Sequence, residues 1–130
     1  MKRRYPSMKA IIFDVDGTLW NSTEQVAIAW TQAVKDHTRL DRIITSEDLV
    51  REFGKPMDQI VAALFPELTW QEQEQLSVHL FRYENSRVEM AACEIYKGVP
   101  ETIRELSKRF TLLIVSNCQG GYIEAFLKNT

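Results

Sequence analysis

Two aspartates that directly follow a short apolar run are the residues whose types and spacing point most clearly to chemistry. Residues 10–13 read as a buried β-strand, and Asp14, Asp16, Gly17 and Thr18 follow it. In an open α/β sheet, ligands bind beyond the carboxyl ends of the strands. Two carboxylates this close repel each other unless a cation lies between them or one of them holds a proton. Because Mg²⁺ prefers hard oxygen ligands, the pair suits a magnesium site.

A second short strand, ending in a hydroxyl residue, lies much further along the chain. Residues 111–115 form a largely apolar run, and Ser116 and Asn117 follow it. Asp-Val-Asp-Gly-Thr-Leu at 14–19 resembles the first motif of the haloacid dehalogenase (HAD) superfamily, and the 111–117 segment resembles its second motif. Most members of that superfamily are Mg²⁺-dependent phosphatases. The long interval between the motifs is similar in length to that of the branch with an inserted helical cap. This branch includes the phosphoglycolate phosphatases and β-phosphoglucomutases.

The resemblance implies an α/β fold with two parts. Residues 1–20 and 93–130 would form a HAD-like (Rossmann-like) parallel-sheet core, incomplete here because only two strands are evident. Residues 21–92 would form the α-helical cap. Three capping-box pairs indicate where cap helices begin: Ser22 with Gln25, Thr45 with Asp48, and Thr69 with Glu72. The last of these helices is expected to turn four side chains inward: Leu76, Leu80, Tyr83 and Met90.

The resemblance assigns catalytic roles to the two aspartates. Asp14 would attack phosphorus and form an aspartyl-phosphate, since an ionised carboxylate needs no base to activate it. Asp16 would protonate the leaving oxygen and later activate water. Relatives that act on carbon–halogen bonds lack an aspartate there, so Asp16 favours phosphoryl transfer. The metal site would consist of Asp14 and Asp16, through the carboxylate of the first and the backbone carbonyl of the second.

The resemblance also implies groups that bind the substrate. Four residues would contribute to the phosphate site: Val15, Thr18, Ser116 and Asn117. The Ser116 hydroxyl and nearby backbone N–H groups would hold the phosphoryl oxygens, while Thr18 would orient the nucleophile. In relatives, the cap segment equivalent to Gly54-Lys55-Pro56 faces the substrate, so this segment is expected to influence specificity.

Each of these residues also has a plain structural interpretation. Asp-Gly is a common turn signal, so the aspartates fit a simple turn. Ser116 fits a helix cap, and Lys55 fits a solvated turn. Trp20 and Asn21 stand where relatives more usually carry a small apolar residue and an aspartate, which predicts a bulkier and less acidic pocket wall.

Two further family motifs are not evident in the 130 residues. A lysine and an acidic pair that completes the Mg²⁺ site normally lie well beyond the second motif. Here Lys128 is the only lysine after Ser116, it falls in a predicted helix, and no aspartate follows Asp58. Two function classes therefore stay open: a Mg²⁺-dependent phosphatase of a small phosphorylated metabolite, and a non-catalytic fragment or remnant that keeps the phosphate pocket and cap. A phosphosugar mutase is a further alternative, because the same two motifs serve both reactions.

Composition and net charge limit the kinds of binding partner that we expect. The chain is 45% hydrophobic and 26% charged with a net charge of −2, which favours neither nucleic acid nor membrane binding. The basic start at residues 2–4 lacks the apolar stretch of a signal peptide and reads as a short extension before Met8. Two cysteines make no disulfide framework, so we expect a cytoplasmic protein. A two-stranded sheet would leave an uncovered edge, through which self-association is expected unless a longer form covers it.

Overall fold

The structure, a computed structural model, describes residues 9–130, so the basic segment 2–4 and Met8 lie outside the described residues. Four strands and six helices form within this range. In chain order they are β1 (Ala10–Phe13), β2 (Trp20–Asn21), α1 (Thr23–His37), α2 (Ser46–Glu52), α3 (Met57–Leu64), α4 (Trp70–Met90), β3 (Glu94–Ile95), α5 (Val99–Leu106), β4 (Thr111–Ile114) and α6 (Tyr122–Asn129).

The two strands that carry the motifs pair in parallel. Ala10 lies opposite Thr111 and Phe13 opposite Ile114, so the carboxyl ends of β1 and β4 meet at the same edge of the sheet. The chain reaches β4 through α5, as a parallel crossover requires. β2 and β3 form a separate antiparallel ribbon at the two junctions of the predicted insert. The proposed domain boundaries stay a prediction.

The expectation that the 10–13 strand is buried is wrong for this chain. Ile12 is 62% exposed, and Leu113, directly opposite it on β4, is 45% exposed. Within residues 9–130, β1 pairs with β4 alone, and the face that carries these two side chains has little packed against it. Association through this part of the sheet remains a prediction.

The cap helices begin largely where the sequence predicts. Both capping boxes at Thr45–Asp48 and Thr69–Glu72 are present; in the second, Glu72 N donates to Thr69 Oγ1 at 3.2 Å and Thr69 N donates to Glu72 Oε2 at 2.7 Å. Helices α1 and α4 pack against each other through buried side chains. Those of α1 are Val26, Trp30, Ala33 and Val34, and those of α4 are Leu76, Leu80 and Val88.

Two expectations about the cap are wrong. Ser22 precedes α1, but its side chain makes no cap hydrogen bond, because its hydroxyl donates to Asp16 instead; Gln25 accepts from Arg87 Nε at 2.9 Å. Met90 does not turn inward and is 88% exposed. None of the helices formed by residues 9–130 is both long and apolar enough to cross a membrane.

Candidate active site

A tight turn after β1 sets the two aspartates in different surroundings. The carbonyl of buried Val15 accepts from Thr18 N at 3.2 Å and Leu19 N at 2.9 Å, and Gly17 adopts a φ of 75° that favours glycine. This turn leaves Asp14 exposed at the end of β1, while Asp16 is half-buried. The two carboxylates therefore lie at the same edge of the sheet but meet different amounts of solvent.

The second motif leaves the sheet at this same edge. Val115 N donates to Phe13 O at 3.0 Å, which extends the pairing of the two strands beyond β4. Ser116 and Asn117 then follow, the first half-buried and the second exposed. The backbone N–H groups of Val15, Asp16 and Asn117 donate to no backbone carbonyl of residues 9–130. Asp16 and Asn117 are partly or largely exposed, so an anion at the strand ends could reach their N–H groups, whereas Val15 is fully buried.

Three side chains hold Asp16 in place. Its Oδ1 accepts from Trp20 Nε1 at 3.2 Å, from Ser22 Oγ at 3.0 Å and, through a short hydrogen bond, from the Tyr122 hydroxyl. No donor from residues 9–130 reaches Oδ2. Burial raises the pKa of Asp16; the hydrogen bonds from Tyr122, Ser22 and Trp20 oppose that rise, and the charge of Asp14 adds to it. The net result is a pKa above the usual value for an aspartate.

Sequence reasoning missed these supporting residues. Trp20 was expected to form a pocket wall, but this is wrong: it is fully buried, its ring packs edge-on against Phe126 at 4.8 Å between centroids, and its indole N–H points to Asp16. Trp20 and Ser22 follow Asp16 closely along the chain, and this short separation could have predicted that they contact it. Tyr122 is 106 residues from Asp16, and only the tertiary fold brings them together.

A cavity of about 220 Å³ lies between Asp16 and the cap. Five predicted site residues line it: Asp16, Gly54, Lys55, Pro56 and Asn117. Asn117 Nδ2 donates to Gly54 O at 3.4 Å, which links the end of the second motif to the turn between α2 and α3. The cap segment picked out from the sequence therefore lies opposite the second aspartate.

The other predicted site residues lie outside the lining of this cavity. Asp14, Val15 and Ser116 are beside it, at the ends of the paired strands. Thr18 is exposed and lines a different depression with Lys97, so its role as an orienting residue stays a prediction.

A buried acid from the cap also lines the cavity, and the sequence reasoning missed it as well. Glu84 on α4 accepts from Trp30 Nε1 at 2.8 Å through its Oε2. Burial raises the pKa of Glu84 to about 7; the Trp30 hydrogen bond opposes that rise, and the charge of Asp16 adds to it. A signal was present, because Glu84 continues the four-residue spacing of Leu76 and Leu80 toward Val88, all of which are buried.

The groups at the strand ends fit part of a Mg²⁺ site. Mg²⁺ commonly uses one or two carboxylates together with waters and substrate phosphates, at oxygen atoms only. The exposed carboxylate of Asp14 and the backbone carbonyl of Asp16 are ligands of this kind. Residues 9–130 contain no group of three or more His, Cys, Asp or Glu side chains arranged to hold a metal ion.

A parallel sheet whose strand ends carry two aspartates and a serine, covered by a helical insert, defines a class of hydrolase. Residues 11–130 match the family model of the haloacid dehalogenase-like hydrolases. The chain therefore belongs to the haloacid dehalogenase-like hydrolase family, which confirms the resemblance of its motifs. No curated protein sequence matches the chain.

Solved structures confirm the fold class. The chain is similar to a predicted phosphoglycolate phosphatase from Haemophilus somnus, with a TM-score of 0.70, 26% identity, and coverage of 94% of this chain and 59% of that one. It is also similar to a HAD hydrolase, family IA, variant 3, from Entamoeba histolytica (TM-score 0.70, 17% identity, 94% and 55%). A hydrolase from Pseudomonas syringae is comparable (TM-score 0.68, 23% identity, 95% and 55%). The chain thus spans between 55% and 59% of the length of these proteins.

Proposed function

We propose that the protein is a Mg²⁺-dependent phosphatase that hydrolyses a small phosphorylated metabolite through an aspartyl-phosphate. The observation that carries this proposal is the placement of Asp16. Its carboxyl group has a raised pKa, is fixed by three donors and faces a cavity closed on the other side by the cap. Asp14 lies two residues away at the exposed edge of the sheet.

In the first step, Asp14 would attack phosphorus. A bond forms between its carboxylate oxygen and phosphorus while the bond from phosphorus to the leaving oxygen breaks. The leaving oxygen takes a proton from Asp16, whose raised pKa favours the protonated form needed for this transfer. Because Trp20, Ser22 and Tyr122 all donate to Oδ1, the proton would reside on Oδ2.

In the second step, water would release the phosphate. Asp16, now ionised, accepts a proton from the attacking water; the new oxygen–phosphorus bond forms as the bond to Asp14 breaks, which restores both aspartates. Water entering from the cavity would meet Asp16 before Asp14, because Asp16 lines the cavity and Asp14 does not. One carboxyl group thus serves as acid and then as base.

The remaining groups would hold the phosphoryl oxygens. The Ser116 hydroxyl and the backbone N–H groups near Val15, Asp16 and Asn117 would supply donors at the ends of β1 and β4. Mg²⁺, held by the Asp14 carboxylate and the Asp16 carbonyl, would offset the repulsion between Asp14 and the phosphate.

A phosphate-binding protein without turnover is the second candidate. Within residues 9–130 it is favoured by the ion pair between Lys128 Nζ and Glu89 Oε1 at 2.7 Å, which engages this lysine with a residue of α4. Among residues 9–130, no acidic pair joins Asp14 at the strand ends.

An assay of the protein at its natural length separates the two candidates. Phosphate release from a panel of small phosphomonoesters is measured with Mg²⁺ and after its removal by a chelator. The phosphatase proposal expects release that depends on Mg²⁺ and is lost in Asp14→Asn. Binding of phosphate without any release would support the second candidate, and recovery of an isomeric phosphosugar instead of free phosphate would indicate a mutase.

A further inference from the structure

A buried glutamate faces the cavity from the cap, and the reaction described above does not use it. Glu84 is only 6% exposed, and Trp30 Nε1 donates to its Oε2 at 2.8 Å. Burying a carboxyl group is costly unless hydrogen bonds compensate it. Its side chain nevertheless lines the cavity together with Asp16. Glu84 is therefore placed to contact the part of a ligand that extends from Asp16 toward α4.

The charged groups around the cavity do not balance one another. Asp16 and Glu84 put two carboxyl groups in its lining, where Lys55 is the basic side chain. Lys55 Nζ already forms an ion pair with Glu52 Oε2 at 2.8 Å. A ligand carboxylate near an ionised Glu84 would thus add a second negative charge there, and Lys55, the basic side chain of the lining, is already paired with Glu52.

We propose that Glu84 determines specificity by selecting phosphomonoesters whose leaving group carries a hydroxyl at this position over those that carry a carboxylate there. The inference rests on the proposed phosphatase function. A carboxyl group accepts a hydrogen bond from a hydroxyl and, when protonated, donates one as well. Above about pH 7, where Glu84 is mostly ionised, a second carboxylate in the same place is repelled.

The size and the walls of the cavity agree with a small leaving group. Its volume of about 220 Å³ is below the roughly 300–1,000 Å³ usual for ligand pockets. Five apolar or aromatic side chains from the cap form part of its wall: Trp30, Phe53, Met57, Ile60 and Phe81. Asn117 and Gln119 add polar groups on the other side.

Two probes that differ at one group test this inference: glycerol 3-phosphate, which ends in a hydroxymethyl group, and 3-phosphoglycerate, which ends in a carboxylate. Their dissociation constants are measured by titration calorimetry in an Asp14→Asn background, in which neither probe should be turned over. The titrations are run at about pH 8.5, where a carboxyl group with a pKa of about 7 is almost fully ionised. We expect the protein with Glu84 to prefer glycerol 3-phosphate by about tenfold or more, or about 1.4 kcal/mol.

Variants of Glu84 then test whether its charge causes the preference for glycerol 3-phosphate. Glu84→Gln still accepts from Trp30 but removes the charge, so the preference should shrink to within about threefold, or roughly 0.6 kcal/mol. Glu84→Asp keeps the charge and should keep the preference. Glu74→Gln makes the same change at an exposed position on the same helix, about 15 Å away along its axis, and should change nothing. Melting temperatures check each fold, and the apolar replacement Glu84→Met gives the same test if Glu84→Gln does not fold.

An unchanged preference in Glu84→Gln, a preference for 3-phosphoglycerate, or failure of both probes to bind would overturn the inference. The proposed function fails separately. If the unaltered protein releases no phosphate although the binding preference follows Glu84, the function is wrong and the selectivity of the site stands. If phosphate is released but the preference ignores Glu84, only this inference is wrong.

Discussion

The helical cap and the two-stranded sheet differ in how completely they bury their apolar side chains. In the cap, Trp30, Leu76 and Leu80 are buried. In the sheet, Ile12 and its cross-strand partner Leu113 remain largely exposed. Because burying one large apolar side chain stabilises a protein by about 1.5–3 kcal/mol, the cap contributes more packing energy than the sheet. The sheet instead determines where the polar groups of the motifs lie.

This difference separates the residues that stabilise the chain from those proposed to perform chemistry. Asp14 lies exposed where β1 ends, and Ser116 lies half-buried just beyond β4. Asp16 is fixed more firmly, because Tyr122 of α6 and Ser22 reach it. Changes at the strand ends should therefore alter activity with little loss of stability, and changes inside the cap should do the reverse.

After Asp14→Asn, which should abolish turnover, Asp16→Asn should give the largest loss of activity and the cleanest separation of activity from stability. Turnover should fall by about 10²–10⁴-fold, the usual contribution of acid–base catalysis. The unfolding midpoint in urea should change little, since the amide oxygen still accepts from Trp20, Ser22 and Tyr122. Asp58→Asn, at an exposed position of α3, is the matched control. Turnover within about tenfold of the unaltered protein, or roughly 1.4 kcal/mol, would remove Asp16 as the acid.

Leu80→Ala and Leu113→Ala compare the two regions with one substitution. Leu80 is fully buried in the cap, so its truncation should cost about 2–5 kcal/mol of unfolding free energy. Leu113 lies on the exposed face of β4, and its truncation should cost less than about 1 kcal/mol. Urea denaturation measures both values. Equal losses of unfolding free energy would mean that the exposed face of the sheet is covered in solution, for example by a second copy of the chain.

The sequence predicted what depends on local patterns. The two motifs and the capping boxes at Thr45 and Thr69 all follow from residues close together along the chain. What it did not predict depends on distant packing. Tyr122 reaches Asp16 only because α6 packs against α4, and this packing is not written in either segment alone.

The wrong expectations for individual residues have a related cause. Met90 and Glu84 were both judged by residue type, so the methionine was expected inside and the acid was overlooked. Helical spacing from Leu76 and Leu80 selects positions 84 and 88 instead, whatever residue occupies them. Ser22 was expected to cap a helix, but its hydroxyl donates to the half-buried carboxylate of Asp16 instead.

The raised pKa of Glu84 predicts a smaller, pH-dependent effect on the cap. Its pKa rises from an ordinary 4.5 to about 7, so the folded state binds a proton more tightly than the unfolded state. This contribution to stability is complete below about pH 4.5 and is lost as the pH rises through about 7. Unfolding free energies at several pH values should therefore decline across this window, and less so in Glu84→Gln, which cannot ionise. Parallel pH profiles for the two proteins would contradict the raised pKa.

The central claim is that Asp14 forms a covalent bond to phosphorus, and trapping that bond tests it most directly. The protein at its natural length is mixed with a phosphomonoester that it turns over, quenched in acid and treated with borohydride, which reduces an acyl phosphate to the alcohol. Peptide mass spectrometry should then find homoserine at position 14, and Asp14→Asn should show none. Steady turnover without homoserine at position 14, or with homoserine at another aspartate, would contradict the account.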